Sequence, residues 1–336
     1  MSNGLYASIN GTIHKNRKMY AVLFGVTRSI KKSYGVVNGV HEPIFSGGPD
    51  VSFSGTHTIS DITIDGKAYK LMTMTGSGTL TVAGEGVRYW MCGSGAGGAN
   101  ANYDDSDSDK SYSGPGGAGG YVASGDLASG NYTVVIGAGG EANNAGNATS
   151  IGTATASGAA SPVDSDAVSY TKKVKGASGG GSGTSWRDAN KTDNIESYAK
   201  GSKGSGVSTY PFGENSLKAH SAGGAGGGFA IWSPDSYRSG GAGGTNGSDG
   251  GNHGTKYTSS SGGSSDGGTG GENGGGNGGT GYNSSTGKKG SNGVAASFFG
   301  SGGGGGGALF SYGGYNYSGT GGAGYQGVAY ALWEAA

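Results

Sequence analysis

The chain has 336 residues, 81 of them glycine, with 13% charged residues and a formal net charge of zero. Glycine at this level, against a usual ~7%, excludes an ordinary side-chain core over much of the length. The neutral balance removes the electrostatic case for nucleic acid or an anionic membrane surface, and the absence of high net charge argues for order rather than disorder.

Residues 1–45 repeat with a period of 14. Tyr6, Tyr20 and Tyr34 share one register, Gly11, Gly25 and Gly39 another, and Ile9, Leu23 and Val37 a third. Each unit centres on Asn10-Gly11, Phe24-Gly25 or Asn38-Gly39. Asn-Gly between apolar residues signals a tight hairpin, because a type I′ turn needs positive φ at both central positions. Isolated ribbons cannot bury both faces. We expect this segment to pack against copies of itself, for instance as a trimer, or against a partner. The alternative is three independent hairpins in a monomeric β-domain.

Residues 46–76 alternate around Val51 and Phe53 and around Ile62 and Ile64, with a further hairpin signal at Asp65-Gly66. They read as a small β connector. The glycine-rich region, 77–336, begins with strand candidates at Thr79–Val82, Val87–Cys92, Gly120–Ser124 and Asn131–Gly137, and ends with Gly327–Trp333. First and last strands of a domain often pair, so Gly327–Trp333 is expected beside Val87–Cys92. Glycine and β-branched residues are too frequent for an α-helix of normal length.

Between these strands, some runs place glycine at every third position, as at Gly268, Gly271 and Gly274, and at Gly321, Gly324 and Gly327. A polyproline-II-type helix has three residues per turn and no internal hydrogen bonds. Such helices with glycine edges could pack side by side through backbone bonds. The fold class expected is an all-β N-terminal region followed by packed polyproline-II-type (polyglycine II) helices and short strands, with almost no α-helix. A flexible glycine-serine linker is the alternative. Six prolines and the lack of a continuous glycine register exclude collagen.

Polar inserts punctuate the runs and carry aromatic rings: Tyr103, Tyr112, Trp186, Tyr198, Tyr210, Phe212, Trp232, Tyr237, Tyr257, Tyr312, Tyr315 and Tyr317. Tyr and Trp among Ser, Gly and Asn give rigid contact area with adaptable hydrogen bonding, as in antibody loops. These rings are candidate receptor-binding residues. Any one of them could instead cap an open face of the glycine region, and Phe298 and Phe299 look most like buried caps.

Signals for chemistry are weak. The DSDSD run at Asp105–Asp109 lacks the glycine and glutamate of a calcium loop. The five histidines have no metal-ligand spacing, and the one cysteine, Cys92, sits in an apolar strand pattern. No acid-base pair can be positioned. We expect no catalysis, no cofactor and no metal. No apolar run reaches the ~18 residues of a membrane span, and the opening MSNGLYASINGT has no apolar signal core. Synthesis in a cytoplasm is expected, with release by lysis or within a larger particle.

One stretch is more specific. A Trp/Tyr strand runs into GSGAGG (Gly93–Gly98). GGAGGYVASGDLASGNYTVVIGAGG (Gly116–Gly140) follows, and GGAGYQGVAYALWE (Gly321–Glu334) closes the chain. This resembles the glycine-rich domain of bacteriophage tail fibre, tail tip and receptor-binding proteins. In spirit it is similar to the polyglycine-helix adhesins of T-even-like phages. The period-14 repeat resembles repeats at the start of tail-associated proteins in phages of intestinal and Firmicute hosts. The resemblance implies a virion protein of the distal tail, assembled in the host cytoplasm. Residues 1–45 would attach it to other tail or baseplate proteins, and loops would bind a host-surface glycan or protein. A purely structural spacer or decoration protein is the alternative. The N-terminal part does not match those adhesins.

Overall fold

The structure is a computed structural model describing residues 6–9, 12–15, 19–23, 26–30, 32–37, 40–46, 48–101, 114–162, 209–227, 229–231, 237–238, 262–265, 267–284, 287–310 and 317–335. Among these residues it is nearly all β. There is no α-helix, and one 3-10 turn lies at Pro211–Gly213.

Three hairpins come first. β1 (Tyr6–Ile9) pairs with β2 (Thr12–Lys15), β3 (Met19–Leu23) with β4 (Val26–Ile30), and β5 (Lys32–Val37) with β6 (Val40–Ser46). Their innermost partners are Ile9↔Thr12, Leu23↔Val26 and Val37↔Val40, which leaves two residues for each turn. Each hairpin is its own two-stranded sheet.

Next come β7 (Asp50–Phe53), β8 (His57–Ile64), β9 (Lys67–Met74), β10 (Gly78–Ala83), β11 (Val87–Cys92), β12 (Val122–Leu127), β13 (Gly130–Val135), β14 (Thr149–Ile151) and β15 (Ala154–Ala156). Short strands follow: β16 (Phe229–Ile231), β17 (Tyr237–Arg238), β18 (Gly262–Ser265), β19 (Gly281–Ser284), β20 (Gly287–Gly290), β21 (Ala308–Phe310) and β22 (Tyr317–Ser318). β23 (Val328–Glu334) ends the order.

Two five-stranded antiparallel sheets, β15-β14-β13-β10-β7 and β12-β11-β23-β9-β8, form a sandwich. β23 inserts between β11 and β9, with Arg88↔Leu332 on one side and Leu332↔Leu71 on the other. The last strand therefore lies beside Val87–Cys92, and it also seals the gap to β9. Residues 46–76 are no separate connector, because β7 joins one sheet and β8 and β9 the other. The reason is hydrophobic. Period-two alternation turns Phe53, Met72 and Met74 inward with Leu80, Met91, Val134, Ile151 and Trp333, and each fully buried large apolar side chain contributes about 1.5–3 kcal/mol. Asp65 (φ 50°) and Gly66 (φ 76°) give the β8–β9 turn the two positive φ values of type I′.

The outer face of the second sheet is also covered. Ile64, Leu71, Trp90, Cys92, Val328, Tyr330 and Leu332 form a second buried cluster, with Phe212, Leu217 and Phe299 packed on it. Residues 209–221 lie across this face as a strap.

The glycine runs bond to one another with a period of three. In run 300–307, Gly303 and Gly306 donate to Ala96 and Ala99, Gly302 and Gly305 to Ala222 and Ala225, and Gly304 and Gly307 to Val294 and Ser291. Its carbonyls at Gly300, Gly303 and Gly306 accept from Gly120, Gly117 and Gly114. Those at Gly302 and Gly305 accept from Gly276 and Gly279, and those at Ser301, Gly304 and Gly307 from Tyr325, Gly322 and Gly319. Six runs therefore surround it: 93–101, 114–121, 220–227, 274–280, 291–297 and 319–327. Glycine is required by proximity: a Cβ on Gly303 would come closer than 3.0 Å to the Gly322 carbonyl. Ala96, Ala118 and Ala159 fill one buried gap between runs, whereas Ala138 faces solvent.

Candidate functional site

Bond registers give each run a direction. Run 93–101 is antiparallel to 114–121 (Ala96→Ala118, Ala99→Pro115) and to 319–327 (Gly98→Gly322, Ala101→Gly319). It is parallel to 300–307 (Gly303→Ala96, Gly306→Ala99). Runs 220–227 and 274–280 are parallel to 300–307, and 291–297 is antiparallel to it. Run 267–271 is antiparallel to 220–227 (Gly268→Gly226, Gly271→Gly223).

The runs therefore share two ends. At one end they join the sandwich, with β11 leading into 93 and 327 leading into β23. At the other end, 93–101, 220–227, 274–280 and 300–307 finish, while 114–121, 267–271, 291–297 and 319–327 begin. Among the runs named above, consecutive ones are joined at this second end through 102–113, 228–266, 281–290 and 308–318. Sheet β17-β16-β21-β22 and sheet β18-β19-β20 stand there, packed together. β16 and β21 are parallel neighbours (Phe229↔Ala308, Ile231↔Phe310). The two strands therefore run in the same direction and end on the same side.

This geometry sorts the candidate rings. Tyr103, Tyr112, Trp232, Tyr237, Tyr257, Tyr312, Tyr315 and Tyr317 all belong to the four connections. Tyr237 is in β17 and Tyr317 in β22, the two outer strands of one sheet. Tyr103, Tyr112, Trp186, Tyr198, Trp232, Tyr257, Tyr312 and Tyr315 lie outside the described residues. Tyr210 and Phe212 are at the opposite, sandwich end. Phe212 packs on the outer apolar cluster with the Arg88 guanidinium 5.5 Å from its ring centre. That placement makes Phe212 a cap, and the sequence pattern did not separate it from the other rings.

Sequence reasoning missed the cluster around His220. Its ring lies 5.1 Å from Trp90 and 4.9 Å from Phe298, and Phe298 and Phe299 continue to Tyr325 at 5.3 and 5.7 Å. His220 Nδ1 is 2.8 Å from the Lys218 carbonyl, which can only accept, so Nδ1 carries the proton. The Tyr330 hydroxyl then donates to Nε2, at 2.8 Å. Burial holds the imidazole down to about 4 and raises the Tyr330 phenol, so both are neutral at pH 7. Burial likewise pushes the Cys92 thiol up to about 12, which leaves no thiolate for nucleophilic chemistry. The cluster is an anchor for the strap. Phe298 and Phe299 are half-buried within it.

Among the described residues no group of His, Cys, Asp or Glu could hold a metal ion, and no helix is long and apolar enough to cross a membrane. No protein-family model matches the chain, and no curated protein matches it.

Proposed function

We propose that this protein is a distal-tail adhesin of a bacteriophage, in which a polyglycine II lattice holds binding loops away from a β-sandwich base. Residues 1–45 attach it to other tail or baseplate proteins, and the loops bind a glycan or protein on the bacterial surface. The observation that carries this reading is the convergence of four connections on the end of the glycine runs farthest from the sandwich.

Period-three bonding with six neighbours is what hexagonal packing of three-residue-per-turn helices requires. Such a lattice is stiff because every run is bonded on several sides, and it uses little side-chain volume. Aromatic side chains are then available at the tip, where Tyr and Trp give large contact area at low entropic cost. A stiff base beneath the loops limits the ordering cost of binding.

The test is competition for adsorption. Purified protein should block phage attachment to host cells or bind isolated envelopes directly. Replacing 102–113 and 308–318 by short Gly-Ser links should abolish this, while Phe212→Ala, at the opposite end, should not. If both loop replacements compete as well as the parent, the adhesin reading falls and a spacer role stands.

A further inference from the structure

We infer that β8 is a docking edge for a second copy of this chain, joined antiparallel about a two-fold axis through Ile59.

Among the described residues β8 is the outermost strand of its sheet, eight residues long, with β9 as its one strand partner. The Asp65-Gly66 turn closes on Ile64↔Lys67, which makes that a hydrogen-bonded pair, as two-residue turns do. The alternation then directs Thr58, Ser60, Ile62 and Ile64 toward β9. The N–H and C=O groups of His57, Ile59, Asp61 and Thr63 face outward. Natural edges are blunted by charge, proline, bulges or short length. Here the one charged residue, Asp61, already pairs with Lys70 at 2.5 Å. Proline is absent, and the pairing with β9 is regular over the whole strand. Ile59 is 49% exposed on this edge.

A two-fold axis normal to the sheet pairs residues of the same face, so only a few registers are open. Centring on Asp61 sets two carboxylates opposite each other. Centring on Ser60 sets Ile59 against Asp61. Centring on Ile59 sets Ile59 against its own mate and His57 against Asp61 on both sides of the axis. His57 Nδ1 donates to the Gly55 carbonyl at 2.8 Å, which holds the ring in place beside the edge. That register removes the exposed isoleucine from water, keeps the two Asp61 carboxylates apart and completes the backbone ladder. A second copy is thus favoured over an unrelated strand, because the edge is complementary to itself.

Pairing one edge strand covers less than the roughly 1,200–2,000 Å² of a standard interface. The dimer is therefore weak in dilute solution and gains from any assembly that holds copies close together. Sedimentation of the full chain up to about 1 mM should show a concentration-dependent dimer. Ile59→Lys, at an exposed position, should keep the melting temperature and weaken association at least tenfold. The register is read by cysteine pairs. Across the proposed axis Thr58 faces Ser60 at a non-hydrogen-bonded site, where Cα atoms approach to about 4.5 Å. Thr58→Cys mixed with Ser60→Cys should therefore crosslink, and neither variant should crosslink to itself. Cys92 is buried and does not compete. A chain that stays monomeric throughout, a dimer indifferent to Ile59→Lys, or Ser60→Cys linking to itself would each overturn the proposal.

Discussion

His220 shows how one buried side chain ties stability to pH. Burial lowers its pKa from 6.5 to about 4 in the folded protein. The folded state therefore resists protonation while the unfolded chain accepts it, so its contribution is complete above about 6.5 and is lost as pH falls toward 4. The loss amounts to about 3 kcal/mol. Urea unfolding at pH 7 and pH 4 should show it, and His220→Gln should flatten this part of the profile. The groups facing the ring are Trp90, Tyr330, Phe298 and Phe299, with the Lys218 ammonium 5.3 Å from the Phe298 ring centre. No carboxylate stands among them to hold the imidazolium. A contrast between glycines tests the close approach of the runs. Gly303→Ala should cost at least about 3 kcal/mol, because the atoms it meets are backbone that cannot rotate away. Gly130→Ala, where the nearest atom would be 3.7 Å away, should change stability by under about 1 kcal/mol. Thermal melts of the two variants decide this.

At the scale of elements, strands were legible wherever alternation was clear. Val87–Cys92 and the closing strand were readable as neighbours because both alternate and because the first and last strands of a domain often pair. Sheet membership of β7, β8 and β9 was not legible. Their pattern says only that one face is buried, and which sheet receives them is decided by partners such as Met72↔Ala331 and Val51↔Val82. The strap over the second sheet was likewise invisible, since His220 meets Tyr330 across 110 residues of chain. Its aromatic composition looked like that of the loops. Phe212 shares that composition and yet packs against Arg88, because a half-buried ring and an exposed ring are written with the same residue.

At the scale of the molecule, the glycine runs make a test of order. If run 300–307 is the bonded centre of a lattice, its amides should exchange with solvent as slowly as those of β11 and β23, since protection follows burial and bonding rather than side-chain size. Exchange of the same amides at the rate of a free chain would mean a flexible linker and would remove the support beneath the tip. The joint arrangement of sandwich, runs and tip also predicts that loop replacement leaves this protection unchanged.

The amino-acid sequence by itself determined that the glycine runs have no side-chain core of their own, so that any packing among them has to use the backbone. It also determined the hairpin turns, through Asn-Gly and Asp-Gly. Only the tertiary structure decided which end of each run faces the sandwich, and that Phe212 packs on the outer apolar cluster as a cap. The physical reason is that glycine carries no side chain to mark a face. The direction and neighbours of each run are set by where its N–H and C=O groups find partners, which is a property of the whole assembly of runs and of no single segment.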